Sequence, residues 1–151
     1  MDSESKKILL GLLGERIVAK LLRDAGHTVE ESLDIFDSEK DLLVNNKNVE
    51  VKSQVPLLIK DSFTVGLNQM TKIKESHAVY WISIPPKVAL DDLSGCVFQM
   101  NPRKCKHRIW STNSGKEMML FPRRQEAMKI VHRIKDQKIL QQLRQLSTSY
   151  L

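Results

Sequence analysis

Two carboxylates and a lysine lie close together in the first half of the chain, in the pattern Asp41-(eight residues)-Glu50-Val51-Lys52. Carboxylate oxygens suit Mg²⁺ or Mn²⁺, and Mg²⁺ commonly combines one or two carboxylates with a substrate phosphate. A lysine ammonium beside such a metal can orient a water, help remove its proton and offset charge on the transition state. These residue types therefore suggest metal-dependent hydrolysis of a phosphate ester.

A β-hairpin over 41–54 would bring these side chains together. Asp41–Val44 and Asn48–Lys52 are short and rich in β-forming residues. The residues between them, Asn45 to Lys47, supply a turn because Asn tolerates positive φ. We expect two antiparallel strands of a sheet here.

The expected register places Asn46 and Lys47 at the tip of the turn, so that Val44 pairs with Val49, Leu43 with Glu50 and Asp41 with Lys52. Strand side chains alternate between the two faces of a sheet. The polar side chains then share one face: Asp41, Glu50 and Lys52. The apolar side chains share the other, which is the natural core face: Leu42, Val44, Val49 and Val51. A slip of one residue would break both patterns, so we expect a well-specified register.

The segments around the hairpin alternate between helical and strand-like patterns, which predicts an α/β fold with a central sheet flanked by helices. Helices are expected from the N-cap Ser3 to about Gly26, over Gly66–His77, and over 122–146 as a long C-terminal helix. Strands are expected at Val29–Leu33, Ala78–Ile84, Cys96–Met100 and Arg108–Ser111, with a polar loop at Asp37–Lys40. We interpret residues 1–151 as a single domain, with its core over about 3–111.

The composition favours an anionic partner and an interior location. The formal net charge is +6 and the isoelectric point is about 9.4, which favours nucleic acid. Two cysteines are too few for a disulfide framework. The N-terminus reads as no signal peptide and no stretch has transmembrane length. We expect a cytoplasmic protein without membrane contact, associated with the nucleoid in a prokaryotic or viral setting.

The D…(D/E)XK pattern resembles that of the PD-(D/E)XK, or restriction-endonuclease-like, nuclease superfamily. Members often carry an acidic residue on the first helix, where this chain has Glu15 after Gly14, an arrangement similar to archaeal junction resolvases. Gln69 matches a polar position that some members share. The resemblance covers roughly 8–84 and departs at Lys40, where many members have proline.

The resemblance implies a restriction-endonuclease-like core with a mixed sheet, and a Mg²⁺- or Mn²⁺-dependent endonuclease that hydrolyses DNA phosphodiester bonds. Site-specific and structure-specific cleavage, as in a Holliday junction resolvase, are both compatible with it. Metal ligation would fall to Asp41, Glu50 and the Val51 carbonyl. Lys52 would be the catalytic lysine, and Glu15 a ligand through water or to a second metal, with Gln69 in support.

Several basic residues from Lys72 onward are candidates for contact with DNA phosphates, and Trp110 is available to stack on a base. The basic residues are Lys72, Arg103, Lys104, Lys106, Arg108, Arg123 and Arg124. Cys96, Cys105 and His107 suggest zinc only weakly, because no C-x₂-C unit or fourth ligand accompanies them. We interpret the thiols as incidental.

The long last helix also allows helix-to-helix dimerisation, and we expect a homodimer or a higher homo-oligomer. Its apolar stripe comprises Ala127, Ile130, Val131, Ile134, Ile139, Leu143 and Leu146. Two alternatives to the nuclease stay open. One is a non-catalytic basic DNA-binding module of the same fold. The other is a basic structural protein in which the hairpin charges form a surface ion pair.

Overall fold

A computed structural model describes residues 1–31 and 41–147 and gives an α/β fold. The helices are α1 (Ser3–Asp24), α2 (Met70–Glu75) and α3 (Gln137–Leu146). The strands are β1 (Val29–Glu31), β2 (Leu42–Val44), β3 (Lys47–Gln54), β4 (Ser62–Gly66), β5 (Ala78–Ser83), β6 (Cys96–Met100), β7 (Arg108–Ser111), β8 (Glu117–Pro122) and β9 (Met128–Arg133). The predicted loop Asp37–Lys40 and the end of the predicted first strand, Ser32 and Leu33, lie outside the described residues.

The strands form two sheets. The larger is six-stranded and mixed, in the order β1-β2-β3-β5-β6-β9, and the smaller is three-stranded, in the order β4-β8-β7. Only β3 and β5 pair in parallel among the described strands. A parallel pair needs a crossover, and here the crossover contains β4 and α2. The expectation of a mixed central sheet with flanking helices is confirmed.

The large sheet separates two hydrophobic cores. Residues of α1 and α3 pack on one face, and the small sheet and α2 cover the other. Strand β5 is buried along its whole length and alternates between the cores, with Tyr80 and Ile82 on the helical side and Val79 and Trp81 on the other. Phe63 of β4 stacks on Trp81 with ring centroids 4.7 Å apart. A strand covered on both faces explains the nearly continuous apolar sequence of β5.

Helix α1 crosses β3 at very short range. It begins after Asp2, whose carboxylate accepts a 2.7 Å hydrogen bond from the Ser5 amide, so that Asp2 and not Ser3 is the N-cap. A β-carbon on Gly14 would lie 2.3 Å from the Ser53 hydroxyl oxygen. A side chain at this position would force the Ser53 hydroxyl to move. Gly14 thus brings the next residue, Glu15, close to the hairpin.

The hairpin forms as expected, but with a different turn. Asn45 and Asn46 occupy the tip with φ of 51° and 66°, as a two-residue type I′ turn requires. Val44 therefore pairs with Lys47, and Leu42 with Val49. The predicted register, which pairs Val44 with Val49, is wrong by two residues. Because strand side chains alternate with a period of two, this error leaves each side chain on its predicted face.

The C-terminal helix predicted over 122–146 is wrong in its first half. Pro122 ends strand β8, and β9 pairs along β6 as an edge of the large sheet. Ile130 and Val131 belong to an apolar pattern that fits a helix, but β-branched residues also favour strands. Hydrogen bonding to β6 makes this segment a strand. The helical part is α3 alone. The core therefore continues past residue 111, since β8 and β9 belong to the two sheets.

The apolar stripe assigned to a dimer contact is divided by this change. Ile134 and Leu143 lie in the helical core of their own chain, at 6% and 0% exposed, whereas Ile130 and Val131 are exposed on β9. Helix α3 therefore uses its apolar face to pack within the chain. No helix in the described ranges is long and apolar enough to cross a membrane.

Arg123 joins the small sheet to the end of β5. The residue is 3% exposed. Its guanidinium donates to Asp91 Oδ2 at 2.8 Å, to Asp61 Oδ1 at 2.9 Å and to the Ser83 hydroxyl at 3.0 Å. Its burial is the reason that the predicted contact of Arg123 with DNA does not fit the structure. Removing one partner of a buried ion pair leaves an uncompensated charge, which is strongly destabilising.

We expect Arg123→Met to lower the free energy of unfolding by about 3–5 kcal/mol, because the buried Asp91 loses its cationic partner, whereas the more exposed Asp61 keeps its ion pair with Arg124. Arg124→Met is the matched control, because Arg124 is exposed and its ion pairs with Asp61 and Asp92 lie at the surface. Urea denaturation measures both variants. Equal, small losses would contradict a structural role for Arg123.

Candidate active site

The Asp41 carboxylate lies at the point where β2 begins. Its Oδ2 accepts a 2.7 Å hydrogen bond from the Val51 amide of β3, so the side chain continues the strand pairing just before Leu42. The N–H and C=O of a strand residue point to the same side. The Val51 carbonyl is therefore directed to the side of β3 on which Asp41 lies.

Glu50 is the most buried acidic residue of this group, at 3% exposed. Its side chain shares a strand face with Lys52, two residues along β3. The Lys52 ammonium lies 3.0 Å from Glu50 Oε1, and the Lys72 ammonium lies 3.2 Å from Glu50 Oε2. A buried carboxylate needs such partners, because burial without them is costly.

The 3₁₀ turn Leu67–Gln69 and helix α2 each contribute a side chain to the site on β3. Gln69 Oε1 accepts a 3.3 Å hydrogen bond from the Lys52 ammonium. Lys52 therefore contacts both Glu50 and Gln69. Lys72, three residues later, reaches both carboxylates, with its nitrogen also 3.7 Å from Asp41 Oδ1. The predicted helix over Gly66–His77 is in fact this turn followed by the shorter α2.

Glu15 contributes a third negative charge from α1. Burial raises its pKa to about 7, and the nearby carboxylates of Asp41, Glu31 and Glu50 add to the increase. Burial and the Glu50 charge likewise raise the pKa of Asp41 to about 6, against the lowering effect of the Val51 amide and the two lysines. Both increases come first from burial and second from neighbouring carboxylates, so the site keeps several carboxyl groups in a place that disfavours their charged forms.

The donor set fits a divalent cation that shares the two central carboxylates. The Lys72 ammonium lies 3.2 Å from Glu50 and 3.7 Å from Asp41, so both carboxylates face the same cationic group. Among the described residues, no three His, Cys, Asp or Glu side chains form a ready metal-binding group. A metal here would hold Asp41, Glu50 and the Val51 carbonyl and fill its remaining positions with water and substrate, as Mg²⁺ commonly does.

Apart from the buried Arg123, the predicted DNA-contacting residues separate into three places. Lys72 lies inside the acidic site. Arg103, Lys104, Lys106 and Arg124 line one groove of about 820 Å³, which also contains Lys129 and His77. Arg108 and Trp110 do not line this groove and lie on β7, one of the two edge strands of the small sheet.

The basic groove runs along the ends of β5, β6 and β9. Its lining includes Met100, which pairs with Val79, and Val79 in turn pairs with Glu50. The backbone of Met100 therefore lies two strand spacings, or about 10 Å, from that of Glu50, whereas Ala78 in the same lining lies on β5, the direct neighbour of β3. Arg103 also donates to the Ser76 and His77 carbonyls at 3.1 and 2.8 Å, so it caps α2 as well as lining the groove.

Sequence reasoning assigned Lys72 to an outer DNA surface and missed its position between the carboxylates. A signal was present, since residues three apart on a helix share a face, and Lys72 follows Gln69 by three. Lys129 was missed because its segment was taken for a helix. Cys96 is buried, Cys105 is partly exposed, and both thiols are free.

Comparisons with family models, with curated proteins and with solved structures identify no match to this chain. The chemistry of the site therefore has to be argued from its own side chains.

We expect Glu15→Gln to change how stability depends on pH. The folded pKa of Glu15 is about 7 against an ordinary value of 4.5, so the folded state binds this proton more tightly than the unfolded state. Its contribution to stability is complete below pH 4.5 and is lost as the pH rises through 7.

The Gln variant has no such loss, so its stability relative to the parent should increase from pH 4.5 to pH 8. We expect an increase on the order of 1 kcal/mol, since partial exposure screens the charges. Thermal melts across this range measure it without added metal, with exposed Glu30→Gln as control. Parallel curves for Glu15→Gln and its parent would contradict the raised pKa of Glu15.

Proposed function

We propose that this protein is a Mg²⁺- or Mn²⁺-dependent endonuclease that hydrolyses phosphodiester bonds in DNA. The observation that carries the proposal is the contact of one cationic group with two carboxylates, those of the buried Glu50 and the partly buried Asp41, beside Lys52. Groups arranged in this way can hold a divalent cation and a phosphate next to an ammonium. The same three residue types form the pattern that resembles the PD-(D/E)XK superfamily.

The order of elements supports a restriction-endonuclease-like core. Helix α1 is followed by the antiparallel β1, β2 and β3, then by α2 and by β5, which is parallel to β3. The acidic pair lies on the central hairpin and Glu15 on the first helix, as the resemblance implies. We propose that β4, β7 and β8 are an addition to this core, because they form the separate small sheet.

The side chains divide the work of hydrolysis. A bound Mg²⁺ supplies Lewis acidity at the phosphoryl oxygen and lowers the pKa of a coordinated water. Lys52 is held between Glu50 and Gln69, so its ammonium is fixed in place to orient the attacking water and offset charge on the phosphoryl oxygens. Asp41 and Glu50 keep the metal beside this lysine. Glu15 adds a carboxylate that can act through water.

The basic groove gives the proposed substrate a path away from the site. Lys104 and Lys106 are exposed there, with Arg124 and Lys129 also in the lining. The distance of about 10 Å between Met100 and Glu50 corresponds to about three nucleotides of one strand. We propose that the groove holds the phosphate backbone next to the cleavage position.

The second candidate is a DNA-binding module without catalysis. Lys52 and Lys72 already neutralise Glu50 through ion pairs, and such pairs can serve structure alone. Cleavage that depends on Mg²⁺ and on Glu50 separates the two candidates.

A homodimer remains part of the proposal because cleavage of both strands benefits from paired sites. Sedimentation with and without DNA measures the oligomeric state.

We expect Glu50→Gln to reduce DNA cleavage by at least a hundredfold in Mg²⁺, because the amide keeps the size of the side chain and removes the charge that holds the metal. Lys52→Ala should also abolish cleavage while metal binding persists, because an ammonium is not a ligand. Single-turnover assays on linear duplex, supercoiled plasmid, single strands, a four-way junction and RNA provide the measurement and define the substrate.

Exposed Glu117→Gln on β8 is the control for a change of charge alone, and gel shifts in Ca²⁺ check that each variant still binds DNA. Near-normal cleavage by both Glu50→Gln and Lys52→Ala would place any nuclease activity elsewhere in the chain.

Binding of DNA through the groove should depend steeply on salt, because phosphate contacts release condensed counterions. We expect Lys104→Ala with Lys106→Ala to flatten the plot of log K against log salt by about two units, or roughly one per lost contact. The pair Lys20→Ala and Lys138→Ala, in exposed positions on α1 and α3, is the control. An unchanged slope for the groove variant would remove the groove from the proposal.

A further inference from the structure

Lys72 reaches from helix α2 into the centre of the acidic site. Its ammonium lies 3.2 Å from Glu50 Oε2 and 3.7 Å from Asp41 Oδ1. Lys52 occupies the other oxygen of Glu50, at 3.0 Å. The two lysines are thus not equivalent: Lys52 touches Glu50 from one side, whereas Lys72 bridges the pair of carboxylates.

A divalent cation shared by Asp41 and Glu50 would need the oxygens that Lys72 now contacts. Mg²⁺ lies about 2.1 Å from its oxygen ligands and carries two charges. An ammonium beside the same two oxygens would collide with it and repel it. Lysine has a flexible four-carbon stem and is well hydrated as a free cation, so it can leave while the backbone of α2 stays in place.

The displaced ammonium has an evident new partner. The side chain of Lys72 is 25% exposed, against 18% for Lys52, 15% for Asp41 and 4% for Glu50, so Lys72 is the most exposed of the four. A phosphodiester that approaches a metal on Asp41 and Glu50 from solvent would therefore come within reach of Lys72. Its non-bridging oxygens offer the charge that Lys72 loses when it leaves the carboxylates.

We propose that Lys72 is an internal counter-cation that competes with the divalent metal for Asp41 and Glu50 and then transfers to the phosphate of the substrate. The inference rests on the proposed function, since its two ligands are the metal and the phosphodiester. Lys72 keeps the acidic pair compensated without metal, weakens metal binding in the free protein, and adds a phosphate contact once metal is bound.

Movement of Lys72 can be measured directly on the protein without any substitution. Reductive methylation with ¹³C-formaldehyde, read by mass spectrometry, reports how accessible each ammonium is. We expect Mg²⁺ to increase labelling of Lys72 severalfold and to leave Lys74, exposed on the same helix, unchanged. Labelling of Lys72 that Mg²⁺ does not alter would overturn the exchange.

Metal affinity provides the second measurement. By calorimetry we expect Lys72→Met to bind Mg²⁺ about tenfold more tightly than the parent, because the competing cation is gone. Lys52→Met is the matched control, since it removes the same charge from the other oxygen of Glu50, and its effect should be smaller. Equal effects of the two variants would mean that Lys72 acts only through long-range charge, which contradicts direct occupancy.

DNA binding tests the transfer to phosphate. In Ca²⁺ we expect Lys72→Met to reduce the slope of log K against log salt by about one unit, the loss of one phosphate contact. In EDTA the slope should not change, because Lys72 is then held by the carboxylates. A slope that is unchanged in Ca²⁺ would overturn the transfer.

The same experiments separate this inference from the proposed function. If Glu50→Gln leaves Mg²⁺ binding intact, the metal site itself is wrong and the proposed function fails. If Glu50→Gln abolishes Mg²⁺ binding but Mg²⁺ does not change the labelling of Lys72 in the parent protein, the metal site stands and only the role of Lys72 fails.

Discussion

The carboxylate of Glu50 is almost completely enclosed by protein, and this buried charge constrains everything around it. An ionised carboxylate is costly to bury unless cations and hydrogen-bond donors surround it. Lys52 and Lys72 meet this need, while Asp41 and Glu15 add negative charge at the same place. Burial disfavours the charged forms of these grouped carboxyl side chains. A further cation beside them would offset that cost.

The architecture explains how this cluster is held. Glu50 and Lys52 lie on the face of β3 that the small sheet and α2 cover, whereas Val49 and Val51 anchor the same strand in the helical core. The absence of a side chain at Gly14 lets α1 pass close enough to bring Glu15 to the site. The two cores pack on opposite faces of the large sheet. Asp41 and Glu50 therefore lie on a hairpin within this sheet and not on a surface loop.

The sequence carried enough information for the centre of the site and much less for the C-terminal half. Alternation along the hairpin placed Asp41, Glu50 and Lys52 on their faces although the register was wrong by two residues, because a shift of two preserves the alternation. Strand β9 was predicted as helix because its apolar spacing satisfies both patterns, and only the long-range pairing with β6 decides between them. Strand β4 was missed because Ser62–Gly66 is short and carries little pattern of its own. Its partner β8 lies more than fifty residues away in the chain. The buried position of Arg123 depends on Asp61 and Asp91, which are distant in the chain.

The central claim is that Asp41 and Glu50 bind a divalent cation. A crystal structure with Mn²⁺, with data collected to reveal its anomalous scattering, tests this claim most directly. The account predicts one anomalous peak within about 2.5 Å of oxygens from both carboxylates, with the Val51 carbonyl alongside and the Lys72 ammonium moved away. Saturating Mn²⁺ with no peak between Asp41 and Glu50, or with Lys72 still bridging them, would contradict it.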